Sequence, residues 1–245
     1  MSERPAPPPL SGLLVVHKPV GPTSMDVCRV VRRRAGGRRL KVGHAGALDP
    51  LASGVLVVAV GRATKLLGAV MRQPKEYEAQ VDLAAFSPTD DLEGEAQPVE
   101  VASPPTRDRL LEALRRLTGE ILQRPPAYSA VKIAGQRAYR LARKGVAVEP
   151  EPRPVVVHAI ELLEYAWPQA TLRIRCGKGV YIRSLARDLG ALLGTGGRLA
   201  GLVRTAVGPH RLEDAVPLDR IPQPLTQADL LAPQASSPSS DAPSR

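Results

Sequence analysis

The aspartate at position 49 has the clearest chemical setting in this chain. It precedes Pro50 within the stretch Lys41 to Lys65, KVGHAGALDPLASGVLVVAVGRATK, in a loop with glycines at 43, 46 and 54. Glycine lets a backbone take φ > 0 or lie close to a ligand, and the following proline keeps Asp49 out of a helix. Val55 to Val60 is wholly apolar and rich in β-branched residues, which reads as a buried strand. A carboxylate held on a stiff loop against a core can serve as a general base or a nucleophile. The plainer alternative has Asp49 capping a short turn, with Pro50 in the first helical position. Arg183 is the second unusual residue. It falls in the first turn of a helix that begins near Tyr181, where the helix dipole disfavours a cation. An arginine there usually has a carboxylate partner or an RNA phosphate. Metal chemistry is not expected, because the cysteines (28 and 176) and the four histidines (17, 44, 158, 210) lack ligand spacing.

The elements that must position these residues follow from hydropathy and breakers. Gly12 to His17 reads as a strand, and a helix capped by Thr23 or Ser24 follows, with Val27, Val30 and Val31 on one side. Its arginines at 29, 32, 33 and 34 make either a solvated face or a phosphate rail. Ala63 to Arg72 looks helical. Glu76 to Leu83 alternates at period two, with Tyr77 on the apolar side. Residues 86–95 form an acidic loop, and residues 106–118 an amphipathic helix ended by Gly119. Arg137 to Lys144 reads as a short basic helix. Strands are expected near 155–165 and 171–176. The helix after Gly177-Lys178-Gly179 buries Ile182, Leu185, Leu189 and Leu192, and Leu199 to Val207 is a last strand, in which Leu202 is core by default. Residues 1–10 form a Pro-rich lead-in, and residues 232–245 a Ser/Pro-rich tail with the composition of disorder.

Composition narrows the partners. The chain has 245 residues, 43% hydrophobic but only 3% aromatic, so the core must rest on Leu, Val and Ala. A net charge of +10 favours a polyanion, nucleic acid first and an acidic membrane surface second, although solubility alone could explain it. No apolar run approaches a membrane span and no signal peptide is visible, which points to the cytoplasm.

The wording of several segments carries a resemblance. Gly43-His44-Ala45-Gly46-Ala47-Leu48-Asp49-Pro50-Leu51-Ala52-Ser53-Gly54 closely resembles the catalytic loop of the TruB family of tRNA pseudouridine synthases. That family usually has threonine at the place of Ala45. Lys75-Glu76-Tyr77, the segment Gln123 to Lys132, Cys176 to Leu185 and Leu202 to Val207 are similar to further motifs of the family, so the resemblance spans roughly residues 12 to 220. Ser87-Pro88-Thr89 stands where the family typically has Thr-Asp-Thr.

The resemblance implies an α+β pseudouridine synthase fold, a mixed, mostly antiparallel sheet flanked by helices and loops, over a catalytic domain at 11–231. It leaves no room for a C-terminal RNA-binding PUA domain. The implied activity converts uridine 55 in the T-loop of tRNA to pseudouridine, without metal or organic cofactor. The implied catalytic residues are Asp49, Arg183 as its ion-pair partner, and Tyr77, which stacks on a flipped-out base. Tyr181 and Leu202 wall the pocket, and His44 fills the space left by flipped nucleotides. The T-arm of tRNA is the implied partner of a monomer that needs no other protein. A non-catalytic tRNA-binding or tRNA-folding protein on the same scaffold is the runner-up, and a guide-RNA-dependent relative working in a ribonucleoprotein is a third reading, which would be expected to keep the C-terminal RNA-binding domain.

Overall fold

A run of buried leucine and valine makes β1 (Gly12–Lys18) and β3 (Ala52–Val60) the strands that carry the Asp49 loop. The two pair antiparallel from Gly12 opposite Val60 to Lys18 opposite Gly54. Both faces of β3 are covered, as its unbroken apolar run requires. Leu56, Val58 and Val60 pack with Val27, Cys28 and Val31 of helix α1 (Ser24–Arg34), while Val55, Val57 and Ala59 pack with Val70 of the short helix α2 (Leu67–Arg72). Thr23 caps α1 in a reciprocal box: its hydroxyl accepts from the amide of Asp26, whose carboxylate accepts from the amide of Thr23. A computed structural model gives this architecture for residues 10–37, 39–129, 131–133, 135–138, 141 and 149–232.

The other half of the sheet consists of β4 (Lys75–Asp82), β5 (Gly119–Gln123), β6 (Arg153–Ala166) and β7 (Gln169–Cys176). Helices α3 (Arg107–Arg116) and α4 (Ile182–Leu193) bury Leu110, Leu114, Leu185 and Leu189 with Val81, Leu172 and Ile174 of these strands. β8 (Arg198–Val207) joins the halves, parallel to β3 on one side and antiparallel to β4 on the other. Short strands β2 (Val42–His44), β9 (His210–Arg211) and β10 (Val216–Pro217) complete a ten-stranded sheet. Its main order is β10-β1-β3-β8-β4-β7-β6-β5, with β2 on β3 and β9 on β8. Only the β1–β10 and β3–β8 pairs are parallel, so the sheet is mixed and mostly antiparallel, the α+β class expected from sequence.

Gly54 is what lets β3 and β8 meet. It sits at φ +110°, opposite Arg204, and an added Cβ would fall 2.3 Å from the carbonyl oxygen of Arg204. No side chain fits there.

Several local expectations differ from the structure. The helix read from Ala63 begins as a 3-10 turn over Gly61–Leu66, and α2 starts only at Leu67. β5 was not anticipated. Arg137 ends a short strand, Gln136–Arg137, and most of the basic helix expected at 137–144 lies outside the described residues. So do residues 1–9 of the lead-in and 233–245 of the tail.

Candidate active site

Three contacts shape the Asp49 loop. The Ser24 hydroxyl holds both backbone polar groups of Leu48, accepting from its amide at 2.8 Å and donating to its carbonyl at 3.1 Å. The amide of Gly21 donates to the Pro50 carbonyl at 2.8 Å, and that of Ala52 to the Asp49 carbonyl at 3.1 Å. The second bond closes a turn that runs straight into β3. No helix starts at Pro50, which removes the helical part of the capping alternative.

Arg183, the second residue of α4, meets this loop from across the sheet. Its Nε lies 3.0 Å from Asp49 Oδ2, and its Nη1 lies 3.4 Å from Asp91 Oδ2. Nη1 also donates to the Thr89 carbonyl and Nη2 to the Tyr128 carbonyl, each at 3.0 Å. The guanidinium is thus held on every side, which fixes its plane and sets its Nε edge against the Asp49 carboxylate. The two carboxylates differ in setting. Asp91 has a side chain 2% exposed and accepts from the Thr89 hydroxyl at 2.5 Å and the Glu93 amide at 3.0 Å. The Asp49 side chain is 43% exposed. Asp49 is the member of the cluster that an incoming molecule can reach.

One turn further along α4, Arg187 makes a second ionic centre. It lies 2.7 Å from Asp90 Oδ2 and 2.9 Å from Asp188 Oδ1, and it donates to the Arg124 carbonyl at 2.9 Å. Asp90 adopts φ +60°, a conformation aspartate tolerates better than most residues. Burial pushes its carboxyl up to about 6, against the opposing pull of Arg187 and Arg183.

The other residues singled out in the sequence fall around these centres. Tyr77 on β4 is buried, opposite Arg204 of β8 and Ile174 of β7, and burial raises the pKa of its phenol. Leu202 on β8, opposite Ala52 and Ala79, is half-buried against the apolar cluster that also holds Leu48, Tyr77 and Ile182. Tyr181 occupies the cap position of α4. Its backbone is clasped by the Gln123 side chain, which accepts from its amide at 2.8 Å and donates to its carbonyl at 3.1 Å. The Arg153 guanidinium lies over the Tyr181 ring, 5.4 Å from its centroid. His44 ends β2, half-buried, and burial first and the charge of Arg204 second hold its imidazole below the usual histidine range, hence neutral at pH 7. The structure joins Asp49 to Arg183 directly, whereas no hydrogen bond among the described residues links His44 or Tyr181 to Asp49. Two residues with close ties to the site were not read from sequence. One is Asp91, and the other is Arg204, whose fully buried guanidinium donates to carbonyls of the Asp49 loop and of β3. Among the described residues no cluster of His, Cys, Asp and Glu suits a metal ion, and no helix is long and apolar enough to cross a membrane.

The ten-stranded mixed sheet and its helices have a counterpart among solved structures. A crystal structure of a Cbf5-Nop10-Gar1 complex matches with a TM-score of 0.66 and 30% identity, over 86% of this chain and 53% of the solved one. This chain therefore spans about half of that one. The fold is that of the pseudouridine synthases. Residues 32–182 match the family model described as TruB family pseudouridylate synthase (N terminal domain). The protein named tRNA pseudouridine synthase B of Phocaeicola vulgatus is 43% identical over 222 residues, which cover 89% of this chain and 94% of that protein. The protein of the same name from Thermobifida fusca is 49% identical over 218 residues, covering 86% and 74%. The chain belongs to the TruB family of pseudouridylate synthases.

Proposed function

We propose that this protein isomerises uridine 55 in the T-loop of tRNA to pseudouridine, with Asp49 as the catalytic carboxylate. The observation that carries this reading is the ion pair in which the enclosed Arg183 holds a solvent-open Asp49 on its loop. Isomerisation breaks the N1–C1′ bond, turns the uracil and joins C5 to C1′ while the base stays in place. The electron pair of the broken bond goes to N1. C5 then attacks C1′, loses its proton, and N1 takes one up. Asp49 supports this as a nucleophile at the sugar or the base, or as base for the 2′ proton. Arg183, whose Nε lies 3.0 Å from Asp49 Oδ2, keeps the carboxylate oriented.

The target uridine is stacked inside a folded loop and must be flipped out to reach Asp49. Tyr77 then stacks on the uracil, Leu202 and Tyr181 wall the pocket, and His44 occupies space vacated by the flipped nucleotides. The raised pKa of the Tyr77 phenol argues for a wall rather than a base at C5. The net charge of +10 suits a tRNA arm as partner, and the protein acts in the cytoplasm as a monomer without another protein. The test incubates the protein alone with an unmodified tRNA transcript and maps pseudouridine. Modification confined to position 55 is expected. Full activity elsewhere with none at 55 would overturn the choice of substrate.

A further inference from the structure

The largest of the fully buried side chains is a charged one, Arg204 on β8, at 1% exposure. None of the ion pairs among the described residues includes it. Its guanidinium is given to carbonyls instead: Nε to Val55 at 2.7 Å, Nη2 to Gly46 at 3.2 Å and Nη1 to Ala47 at 3.5 Å. Gly46 and Ala47 lie three and two residues before Asp49, and Val55 lies just beyond the turn that follows it. One planar group therefore spans both sides of the loop.

Burying a guanidinium without a carboxylate is costly, and a neutral side chain would fill the space without that penalty. Two features of the site call for the charge. Gly46 and Ala47 offer no polar side chain by which the loop can be held just before Asp49, so a grip there must take their carbonyls. Only a forked, permanently charged donor reaches three of them at once. The field of Arg204 is also felt around the site, where it adds to the burial that lowers the pKa of His44 and Lys18 and partly offsets the burial that raises that of Tyr77. The uracil that leaves C1′ carries an extra electron pair, so a fixed positive charge behind it favours the cleaved state.

We propose that Arg204 is a positioning residue for the isomerisation, clamping the Asp49 loop by its backbone and setting a positive field in the pocket where the uracil becomes anionic. This rests on the uridine-isomerising reading above. It requires no contact between Arg204 and the substrate, since its effect passes through the loop and through the field.

The test compares the full-length wild type with Arg204→Gln and Arg204→Lys. Three readouts are taken: the single-turnover rate on unmodified tRNA, the Kd for that tRNA, and hydrogen exchange of the amides of residues 45–52. Arg204→Gln is expected to turn over about 100-fold more slowly, with Kd within about three-fold of wild type and faster exchange in the loop. Arg204→Lys keeps the charge and loses the fork, so its rate should recover about ten-fold over Gln while exchange stays fast. The NMR titration of His44, assigned against His44→Gln, should move to higher pH in Arg204→Gln and return in Arg204→Lys. A Gln variant within three-fold of the wild-type rate would overturn the proposal, as would equal rates for Lys and Gln. If Arg204→Gln does not fold, Arg204→Lys decides alone: a tenfold loss of rate at unchanged Kd supports the clamp, and wild-type rate and exchange overturn it. Should the wild type itself make no pseudouridine, the functional reading fails, while loop exchange and the His44 titration still decide whether Arg204 clamps the loop and sets the field.

Discussion

Arg183 and Arg187 stand four residues apart on one face of α4, and each takes one of two consecutive aspartates, Asp91 and Asp90. They end in different places. Arg187 closes on Asp188 of its own helix and on a backbone carbonyl, and every carboxylate it meets is largely shielded. Arg183 reaches three distant segments and finishes on Asp49, whose side chain is 43% exposed. A closed cluster of this kind can hold a loop in place, and replacing it with apolar residues would often be neutral for stability. A cluster with one carboxylate left open offers a charge to an incoming molecule. On the proposed reading, the difference gives Arg187 a scaffolding part and leaves the chemistry to the Asp49 end of Arg183.

The sharpest break in this comparison is Asp49→Asn. Its turnover should fall by roughly 10³-fold or more, as expected on losing a catalytic base or nucleophile, with tRNA affinity kept within a few-fold. Single-turnover rates near wild type would remove Asp49 from the mechanism.

Arg183 comes next. Arg183→Lys keeps a charge but not the fork, and should lose about 30-fold in rate, roughly 2 kcal/mol for a charge-assisted hydrogen bond. Arg183→Met should lose more, since it also leaves the buried Asp91 without its cation. A Lys variant as fast as wild type would mean that point charge alone suffices.

The same substitution at the neighbouring arginine sharpens the contrast. Arg187→Met should destabilise the fold by about 3–5 kcal/mol, the usual result of breaking a shielded pair from one side. Turnover of the folded fraction at 15 °C should stay within about five-fold of wild type, because Arg187 does not touch Asp49. If urea unfolding shows little loss, or if the folded enzyme is as slow as Arg183→Met, the division of labour is wrong.

The smallest effect concerns pH. The Asp90 carboxyl titrates at about 6 in the fold, against 3.8 for the ordinary group, so ionising it is harder in the native state. Native stability should therefore fall as pH rises from about 4 to about 6, by an amount on the order of 2–3 kcal/mol from this one group. Asp90→Asn lacks that term. Urea unfolding at several pH values should show wild type gaining on the variant as pH drops through this window. Parallel profiles would show that Asp90 does not titrate there.

The sequence made the Asp49 end of this system readable and the Arg204 end opaque, for physical reasons. Gly46, Pro50 and the apolar run after Gly54 are local signals, packed into one contiguous stretch. Arg183 stood out because a cation in the first turn opposes the helix dipole. Period-two alternation located β4 and β7, and the leucine stripe located α4. Asp91 gave no such signal, since any residue of an acidic loop could face outward and its partner lies 92 residues away. Arg204 sits in a mostly apolar strand, where an arginine reads as pointing to solvent. What turns it inward is the ring of carbonyls on β3 and the Asp49 loop, which only the tertiary structure brings together. β5 was missed because an edge strand with mostly exposed residues lacks alternation.

The parallel contact between β3 and β8 also has a consequence for the birth of the enzyme. Val55 and Arg204, joined across it, are 149 residues apart. Pairings of that range close late, because a long loop must lose its freedom before the contact repays it. A chain growing on the ribosome has Asp49 made long before β8 emerges, and the Arg204 part of the grip on its loop comes only after β8 is made. Until then the loop has its Ser24 and Gly21 bonds but lacks the Arg204 clamp, and on the proposed reading its carboxylate is not yet held for catalysis.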